Sequence, residues 1–293
     1  MVCLWLNRDD PTQRSHNFGA ETGHNYCQYR KQRCVLAFGW REGLAVIIAE
    51  GLTKKYGSLV ACNRLDLHIH ASELFGFLGP NGAGKTTTIK MLTGLLTPTS
   101  GSAKIAGINV QEHPVAAKEN MALVPDSPNI YDRLTGREFL ELAAQLRRID
   151  RKEAGRRINK LLDLFELSDR ADELCGGFSH GMKQKVCLSA ALLAEPQVLF
   201  LDEPTVGLDP KSARLFKDIL REFVGSGGTV FMSTHILEIA EQMCDRVGII
   251  QSGSLIALGT VDELRQGTKH IGTGKSITLE DLFLELTSNQ DRD

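Results

Sequence analysis

A glycine-rich loop between a predicted buried strand and a predicted helix restricts the possible folds of this chain more than any other feature. The loop reads Gly79, Pro80, Asn81, Gly82, Ala83, Gly84, Lys85 and Thr86. Its spacing, G-x-x-x-x-G-K-[ST], allows backbone N–H groups to converge on phosphate groups, because glycine permits a close backbone approach. The N-terminus of the following helix would add partial positive charge. The loop therefore predicts a phosphate-binding turn in an α/β fold.

The residues at the end of the loop predict which groups contact the phosphates. Lys85 is expected to reach the β- and γ-phosphates, and the Thr86 hydroxyl to ligate Mg²⁺. Thr87 is expected to add a further phosphate contact. The flanking runs, Leu74–Leu78 before the loop and residues 86–96 after it, have strand and helix character. The alternative is a glycine-rich turn that only begins a helix, and the flanking elements favour phosphate binding.

A second apolar run ends in two adjacent carboxylates. Residues 198–201 read as a strand covered on both faces, and Asp202 and Glu203 follow it directly. Because ligands bind at the carboxyl ends of strands in open α/β sheets, both acids are expected near the phosphate-binding loop. Asp202 is then expected to hold Mg²⁺ through a water, and Glu203 to orient and polarise the attacking water. Taken alone, the pair fits two solvated loop acids equally well, but the upstream loop favours the metal and water roles.

Hydrophobic periodicity predicts the elements around these motifs. Residues 1–44 show no sustained apolar periodicity, whereas strand character begins at Val46. Apolar residues at helical spacing predict helices over Gly136–Arg148 and Glu153–Leu167. The other predicted elements are a helix over Ser212–Phe223, a strand over Thr229–Met232, a hairpin of Val247–Gln251 and Ser254–Leu258, and a helix over Thr278–Thr287. Strand, helix and strand in succession imply a parallel sheet.

Several motifs, in this order along the chain, resemble those of the ABC ATPase family over about residues 46–265. The resemblance implies that Tyr56 stacks on the adenine ring, a contact that needs only a flat π-face. It also implies that Asp209, before Pro210, links two nucleotide sites across a dimer, and that His235 contacts the γ-phosphate. The alternatives are an ordinary strand-end tyrosine, a turn-forming Asp-Pro pair and a structural histidine.

The chain departs from the usual pattern of that family at two motifs. Where the family has Leu-Ser-Gly-Gly-Gln, this sequence reads Phe178, Ser179, His180, Gly181 and Met182. Ser179 and Gly181 are retained, and they are expected to offer a hydroxyl and a backbone N–H to the γ-phosphate bound by a partner protomer. Where the family has Gln after Pro125, Asp126 stands here. Its carboxylate is expected to contact Mg²⁺ or a water, while adding negative charge near the phosphates.

The resemblance also implies an architecture. The expected fold class is α/β, a P-loop NTPase core with a mainly parallel sheet, an N-terminal antiparallel β region and an inserted helical subdomain. A poorly ordered extension is expected over 1–44, which nucleotide binding should not need. The ATPase domain is expected over 45–265, with the helical subdomain at about 127–187, and a tail with a short helix over 266–293.

The role implied by the resemblance is that of an ATP-binding and ATP-hydrolysing subunit of an ABC transporter, with ATP and Mg²⁺ as cofactors. Its partners would be an integral-membrane permease and a second ATPase subunit, so it would act at the cytoplasmic face of a membrane. Residues 128–140 resemble exporter ATPases of the bacterial and archaeal multidrug type. Two alternatives stay open, a soluble ABC ATPase without a membrane partner and a catalytically weak regulatory subunit. The second is motivated by Phe178, His180, Met182 and Asp126.

Composition excludes several other classes. Lys plus Arg number 34 and Asp plus Glu number 36, so no global positive charge draws the chain to nucleic acid, and no such partner is expected. No uninterrupted apolar run reaches the roughly 18 residues that a membrane-spanning helix needs. The short apolar run Cys34–Trp40 resembles a secretory signal only faintly. The 7 cysteines form no C-x-x-C pair or zinc spacing, which predicts reduced, mostly structural thiols.

Overall fold

The computed structural model describes residues 45–267 and Phe283. The extension expected over 1–44 and, apart from Phe283, the helix predicted over Thr278–Thr287 lie outside the described residues. The strands are β1 (Ala45–Tyr56), β2 (Leu59–His70), β3 (Leu74–Leu78), β4 (Ser100–Ile105), β5 (Ile108–Asn109), β6 (Met121–Val124), β7 (Val198–Asp202), β8 (Thr229–Thr234), β9 (Arg246–Gln251) and β10 (Ser254–Gly259). The α-helices are α1 (Lys85–Leu92), α2 (Pro114–Glu119), α3 (Gly136–Leu146), α4 (Arg151–Leu164), α5 (His180–Leu193), α6 (Pro210–Gly225), α7 (Leu237–Met243) and α8 (Val261–Gly267).

A six-stranded sheet in the order β10-β9-β3-β8-β7-β6 runs through the centre of the described structure. The strands from β9 to β6 are parallel, and β10 joins β9 through an antiparallel hairpin. Every residue of β3 and β7 is buried, which explains why both strands read as continuous apolar runs. The predicted parallel sheet is therefore confirmed.

A four-stranded antiparallel sheet, ordered β2-β1-β4-β5, covers one face of the parallel sheet. Apolar and polar residues alternate along the second half of β2, where Leu65, Leu67 and Ile69 are buried and the residues between them are exposed. Within β3, Phe75 and Phe77 pack toward this antiparallel sheet and α1, because successive strand residues point to opposite faces. The N-terminal antiparallel β region is confirmed.

The other face of the parallel sheet is covered by helices, several of which lie in the segment between β6 and β7. The predicted helices α3 and α4 are present there, but they end at Leu146 and Leu164. The predictions extended them to Arg148 and Leu167. They end earlier because Arg148 and Glu166 adopt left-handed backbone angles, with φ of 55° and 57°, which terminate a helix. Within residues 45–267, no helix has both the length and the apolar character needed to cross a bilayer.

The structural role predicted for the cysteines is supported within the described residues. Cys62, Cys175, Cys187 and Cys244 are buried and carry free thiols. Burial raises the pKa of Cys187 and of Cys244 to about 12, so both stay protonated at neutral pH. These thiols act as small apolar core groups.

Candidate active site

The register of adjacent parallel strands gathers the predicted site residues at one edge of the sheet. β8 lies between β3 and β7, and all three run in the same direction, so their carboxyl ends meet. The glycine-rich loop leaves β3, Asp202 ends β7, and His235 follows β8. β6, on the other side of β7, leads toward Asp126. Segments far apart in the sequence thus converge on one place.

The glycine-rich loop has a backbone shape that only glycine allows at its tightest point. Gly84 has a φ of 108°, and a Cβ atom at this position would lie 2.4 Å from the carbonyl oxygen of Ala61. Helix α1 begins directly afterwards, and no side chain of the described residues caps its N-terminus. The backbone N–H groups of the first turn are therefore free to bind an anion.

Lys85 is buried at the mouth of this loop. Its Nζ atom donates to the carbonyl oxygens of Gly79 (2.7 Å) and Pro80 (3.2 Å), and it lies 3.2 Å from Glu203 Oε1. The ammonium group thus stands between the phosphate-binding loop and the acidic strand end. An incoming phosphate would meet a cation that the loop already orients.

Glu203 and His235 contact each other on the open side of the same cluster. Glu203 Oε2 lies 3.0 Å from His235 Nδ1 and accepts the backbone N–H of His235 at 3.3 Å. The backbone of Glu203 is left-handed, with φ of 49°, a conformation that costs free energy for a residue with a side chain. The carboxylate is only partly exposed, at 16%, whereas the histidine ring reaches the surface. Both groups therefore border the place where a phosphate would bind.

Asp202 is buried beside them. Desolvation raises the pKa of the Asp202 carboxyl above its usual range, and hydrogen bonds from the Ser233 and Thr86 hydroxyls oppose that rise. The negative charges of Asp126 and Glu203 raise this pKa further. Thr86 and Asp202, two of the three predicted metal ligands, are thus linked by a hydrogen bond, and the charge of the third, Asp126, acts on Asp202.

The donor set of this cluster fits Mg²⁺. Thr86 and Asp202 offer only oxygen atoms, which is what this hard cation prefers. In the described part of the chain, no group of three or more His, Cys, Asp or Glu side chains is arranged to hold a metal ion by itself. Mg²⁺ commonly binds one or two protein groups and takes its remaining ligands from substrate phosphates and water, so Thr86 and Asp202 are enough protein ligands for it.

Several predicted site residues lie apart from this cluster. Tyr56 is exposed at the end of β1, where the Lys54 ammonium sits 5.2 Å from its ring centroid. The Ser179 hydroxyl accepts the Met182 N–H and caps α5. The Asp209 carboxylate caps α6 through the Ser212 N–H and hydroxyl, at 2.9 and 2.7 Å. No hydrogen bond or ion pair within residues 45–267 joins Ser179 or Asp209 to the Lys85 cluster.

The residues that depart from the family pattern have structural contacts of their own. Phe178 is 6% exposed, and its ring packs against Gly136 at the start of α3. Met182 packs against the helical side of the core. His180 is exposed, and its ring lies beside Gly207, where a Cβ atom would be 3.2 Å from His180 Cδ2. Of the three departures within residues 178–182, two are thus accounted for by packing.

Sequence reasoning missed two buried polar residues that contact the acidic strand end. The Ser233 hydroxyl donates to Asp202 Oδ1, and the Glu203 N–H donates to Ser233 Oγ. The amide of Gln184 on α5 donates to the carbonyl oxygen of Pro204 at 3.4 Å. The strand predicted from the sequence ended at Met232, and only the structure extends β8 to Thr234 and places Ser233 inside it. The partners of Ser233 are remote in the sequence, so no local pattern marked its role.

Comparisons with known proteins agree with this geometry. A model of the family described as ABC transporter matches residues 62–206. A daunorubicin resistance ATP-binding protein of Streptomyces coeruleorubidus is 39% identical over 222 residues, which cover 76% of this chain and 70% of that protein. A probable multidrug ABC transporter ATP-binding protein of Escherichia coli (strain K12) is 35% identical over 251 residues, which are 86% of this chain but 43% of that protein.

A solved structure of an ATP-binding subunit of an ABC transporter has the same fold. It superimposes with a TM-score of 0.76 at 34% sequence identity. The match covers 83% of this chain and 99% of the solved one.

Proposed function

This chain belongs to the ABC transporter ATP-binding family, and from that premise we propose that it drives a separate membrane permease by closing around MgATP as a dimer. Its ATPase character comes with the family. The coupling, the dimer and the residue roles described below are the content of the proposal. The expected location is the cytoplasmic face of a membrane, reached through the permease.

The observation that carries the proposal is the convergence of Lys85, Thr86, Asp202, Glu203 and His235 at one edge of the parallel sheet. The free N–H groups of α1 and the loop would bind the phosphates, with Lys85 turning from Glu203 toward the β- and γ-phosphates. Thr86 and Asp202 would hold Mg²⁺, with Asp126 nearby, and the ion would neutralise charge on the phosphate oxygens.

Glu203 would then be the general base for the attacking water. Its carboxylate is already held between Lys85 and His235, at 3.2 and 3.0 Å. Once the phosphates attract Lys85, the Glu203 carboxylate loses that contact and can accept a proton from a water placed in line with the γ-phosphate. His235 lies on the open side, where it can donate a hydrogen bond to the γ-phosphate. Glu203 can therefore act as the base while His235 contacts the γ-phosphate.

The dimer is supported by the separation of the remaining residues from this cluster. Ser179 is exposed at the N-terminus of α5, a 14-residue helix whose first N–H groups suit a phosphate. Because Ser179 does not contact the Lys85 cluster of its own chain, it would complete the site of a partner protomer, together with the Gly181 N–H. ATP would then bind the closed dimer better than the open one, and this difference in affinity would drive closure.

The cargo class follows from the relatives and is part of the proposal. The Streptomyces relative is named for daunorubicin resistance and the Escherichia coli relative as a probable multidrug transporter component. We therefore infer export of drug-like organic molecules. The soluble ABC ATPase and the weak regulatory subunit are the competing functions, and the retained Lys85, Glu203 and His235 favour turnover over a regulatory role.

Phosphate release by the purified chain tests the catalytic part of this proposal. We expect multiple turnovers with MgATP, and loss of activity in Lys85→Ala because the phosphates lose their positioned cation. Lys90→Ala removes an exposed lysine of the same helix and is the matched control. Parent-rate hydrolysis by Lys85→Ala would contradict the assignment, and a single turnover by the parent protein would favour a regulatory subunit.

Affinity purification from membranes tests the partner. A multi-span membrane protein that co-purifies with the chain and stimulates its ATPase activity is expected for a transporter. Full activity without any membrane protein bound would favour the soluble alternative.

A further inference from the structure

Ser233 lies in the sheet directly beside the residue that we expect to hold the metal. β7 and β8 pair in parallel with Asp202 opposite Ser233 in the register. Ser233 is completely buried, with 0% exposure, in a strand whose other residues are also buried. A hydroxyl in such a place needs partners, because an unpaired buried polar group destabilises the fold.

The Ser233 hydroxyl finds its partners in both acidic residues. It donates to Asp202 Oδ1 at 2.5 Å, and its oxygen accepts the Glu203 N–H at 3.1 Å. The Ser233 carbonyl oxygen accepts the same N–H at 3.2 Å. The single hydroxyl proton of Ser233 is therefore donated to Asp202, while its oxygen accepts a hydrogen bond from the backbone of Glu203.

Each of these two hydrogen bonds constrains one acidic residue, the first the buried carboxylate of Asp202 and the second the left-handed backbone of Glu203. The Asp202 carboxylate is 4% exposed, so hydrogen bonds must replace the water that it has lost, and a carboxylate fixed by a donor is oriented for a metal. Glu203 has a left-handed backbone, which its own side chain disfavours. Two acceptors on Ser233 hold the Glu203 N–H in that conformation and thereby set the direction of its side chain.

We propose that the Ser233 hydroxyl is a positioning group that aligns the Asp202 carboxylate for Mg²⁺ and the Glu203 carboxylate for the attacking water. This inference rests on the proposed function, because it takes the roles of Asp202 and Glu203 from it. Ser233 would act through the two acids, because its hydroxyl is hydrogen-bonded to both of them. The coupling means that one hydroxyl affects metal binding and turnover together.

The test compares Ser233→Ala with Ser189→Ala. Ser189 is also a completely buried serine, but its hydroxyl donates to the Lys185 carbonyl oxygen within α5, away from both acids. The affinity for a non-hydrolysable ATP analogue is measured with and without Mg²⁺, and the turnover number is measured with MgATP. For Ser233→Ala we expect unchanged metal-free affinity and a loss of about 10- to 100-fold in both Mg²⁺-dependent affinity and turnover. Ser189→Ala should change neither.

A second pair of variants separates the hydroxyl from the volume of the side chain. Ser233→Thr and Ser233→Val add nearly the same volume to a strand position that suits branched side chains. The threonine variant should keep Mg²⁺ dependence near that of the parent, and the valine variant should resemble Ser233→Ala. Equal Mg²⁺ dependence in the threonine and valine variants, or parent behaviour in Ser233→Ala, would overturn the positioning role.

Asp202→Asn distinguishes failure of this inference from failure of the proposed function. If Asp202→Asn abolishes the effect of Mg²⁺ while the Ser233 variants behave like the parent, only the positioning role is wrong. If Asp202→Asn leaves the Mg²⁺ effect intact, the metal assignment itself is wrong, and the role of Ser233 falls with it.

Discussion

The acidic strand end and the start of α5 carry the two groups of predicted nucleotide contacts, and they differ in how their polar groups are satisfied. At the strand end, Asp202 and Glu203 have partners from two other segments, the start of α1 and the end of β8, and are largely buried. At the start of α5, Ser179 is exposed, and among the described residues its hydroxyl bonds only within its own helix turn. The polar groups of the strand end are thus paired within this chain, whereas the start of α5 is open to solvent.

Because of this difference, we expect the acidic strand end and the start of α5 to serve different roles. A buried, interlocked cluster suits chemistry, because preorganised groups need not rearrange when charge develops in the transition state. An exposed helix N-terminus suits recognition of a surface that arrives from outside the chain. The contrast predicts that substitutions at the strand end change turnover, whereas substitutions at the start of α5 change association.

The largest effect is expected at Glu203. Glu203→Gln keeps the shape of the side chain and removes the base, so hydrolysis should fall by about 10² to 10⁴-fold. MgATP should still bind, because Lys85, Thr86 and Asp202 are unchanged, and the variant should accumulate as an ATP-bound dimer. Phosphate release, nucleotide affinity and size-exclusion chromatography measure the three properties. Hydrolysis at the parent rate would exclude Glu203 as the base.

Ser179→Arg, placed in the Glu203→Gln background, tests the other region. The added charge and bulk should block the partner site, so the ATP-dependent dimer should need at least roughly tenfold more protein, a cost of about 1.4 kcal/mol. Ser226→Arg is the control. Ser226 is exposed and precedes the start of β8, whereas the site residues lie at the end of β8. A dimer that tolerates Ser179→Arg as well as Ser226→Arg would refute the shared site and remove the contrast.

A smaller effect is expected at Asp126, whose charge acts on the predicted metal ligand Asp202. Its negative charge raises the pKa of Asp202, so it acts on the same cluster. Asp126→Asn should shift the Mg²⁺ concentration for half-maximal hydrolysis several-fold and leave metal-free nucleotide affinity unchanged. An unaltered Mg²⁺ requirement would assign Asp126 a purely structural place.

The smallest effect is expected at Asp209. Its carboxylate caps α6, and it is also predicted to contact a partner protomer. Asp209→Ser keeps a good N-cap for α6 and removes the charge, whereas Asp209→Ala removes both. If Asp209 links two protomers, both variants should weaken dimerisation modestly, and only Asp209→Ala should lower thermal stability. If it is only a cap, Asp209→Ser should match the parent protein in dimerisation.

The pH dependence of this cap provides a second check. Hydrogen bonds from Ser212 hold the pKa of Asp209 below its usual range. Because the folded pKa is lowered, the stabilisation by Asp209 is present above its unfolded pKa and is lost as the pH falls through the folded value. The stability difference between the parent and Asp209→Ala should therefore shrink in acid, as followed by thermal unfolding at a series of pH values.

The site could be predicted as far as local motifs reach. The glycine-rich loop and the Asp202–Glu203 pair carry their chemistry in short stretches, and their placement at adjacent strand ends followed from a general rule for parallel sheets. The left-handed turns at Arg148 and Glu166 could not be predicted, because neither position has the glycine that usually marks such a turn. Their helices were therefore extended too far.

The sequence by itself determined the class of fold and the identity of the phosphate-binding loop. The class of fold follows from the period of the hydrophobic residues. The loop is identified by the spacing of its glycines, which let the backbone approach a phosphate closely. Only the tertiary structure decided that Lys85 pairs with Glu203 and that Ser233 bonds both acids. Those contacts depend on which strands are neighbours and on their register, and hydrogen bonds form over about 3 Å regardless of how far apart the residues lie in sequence.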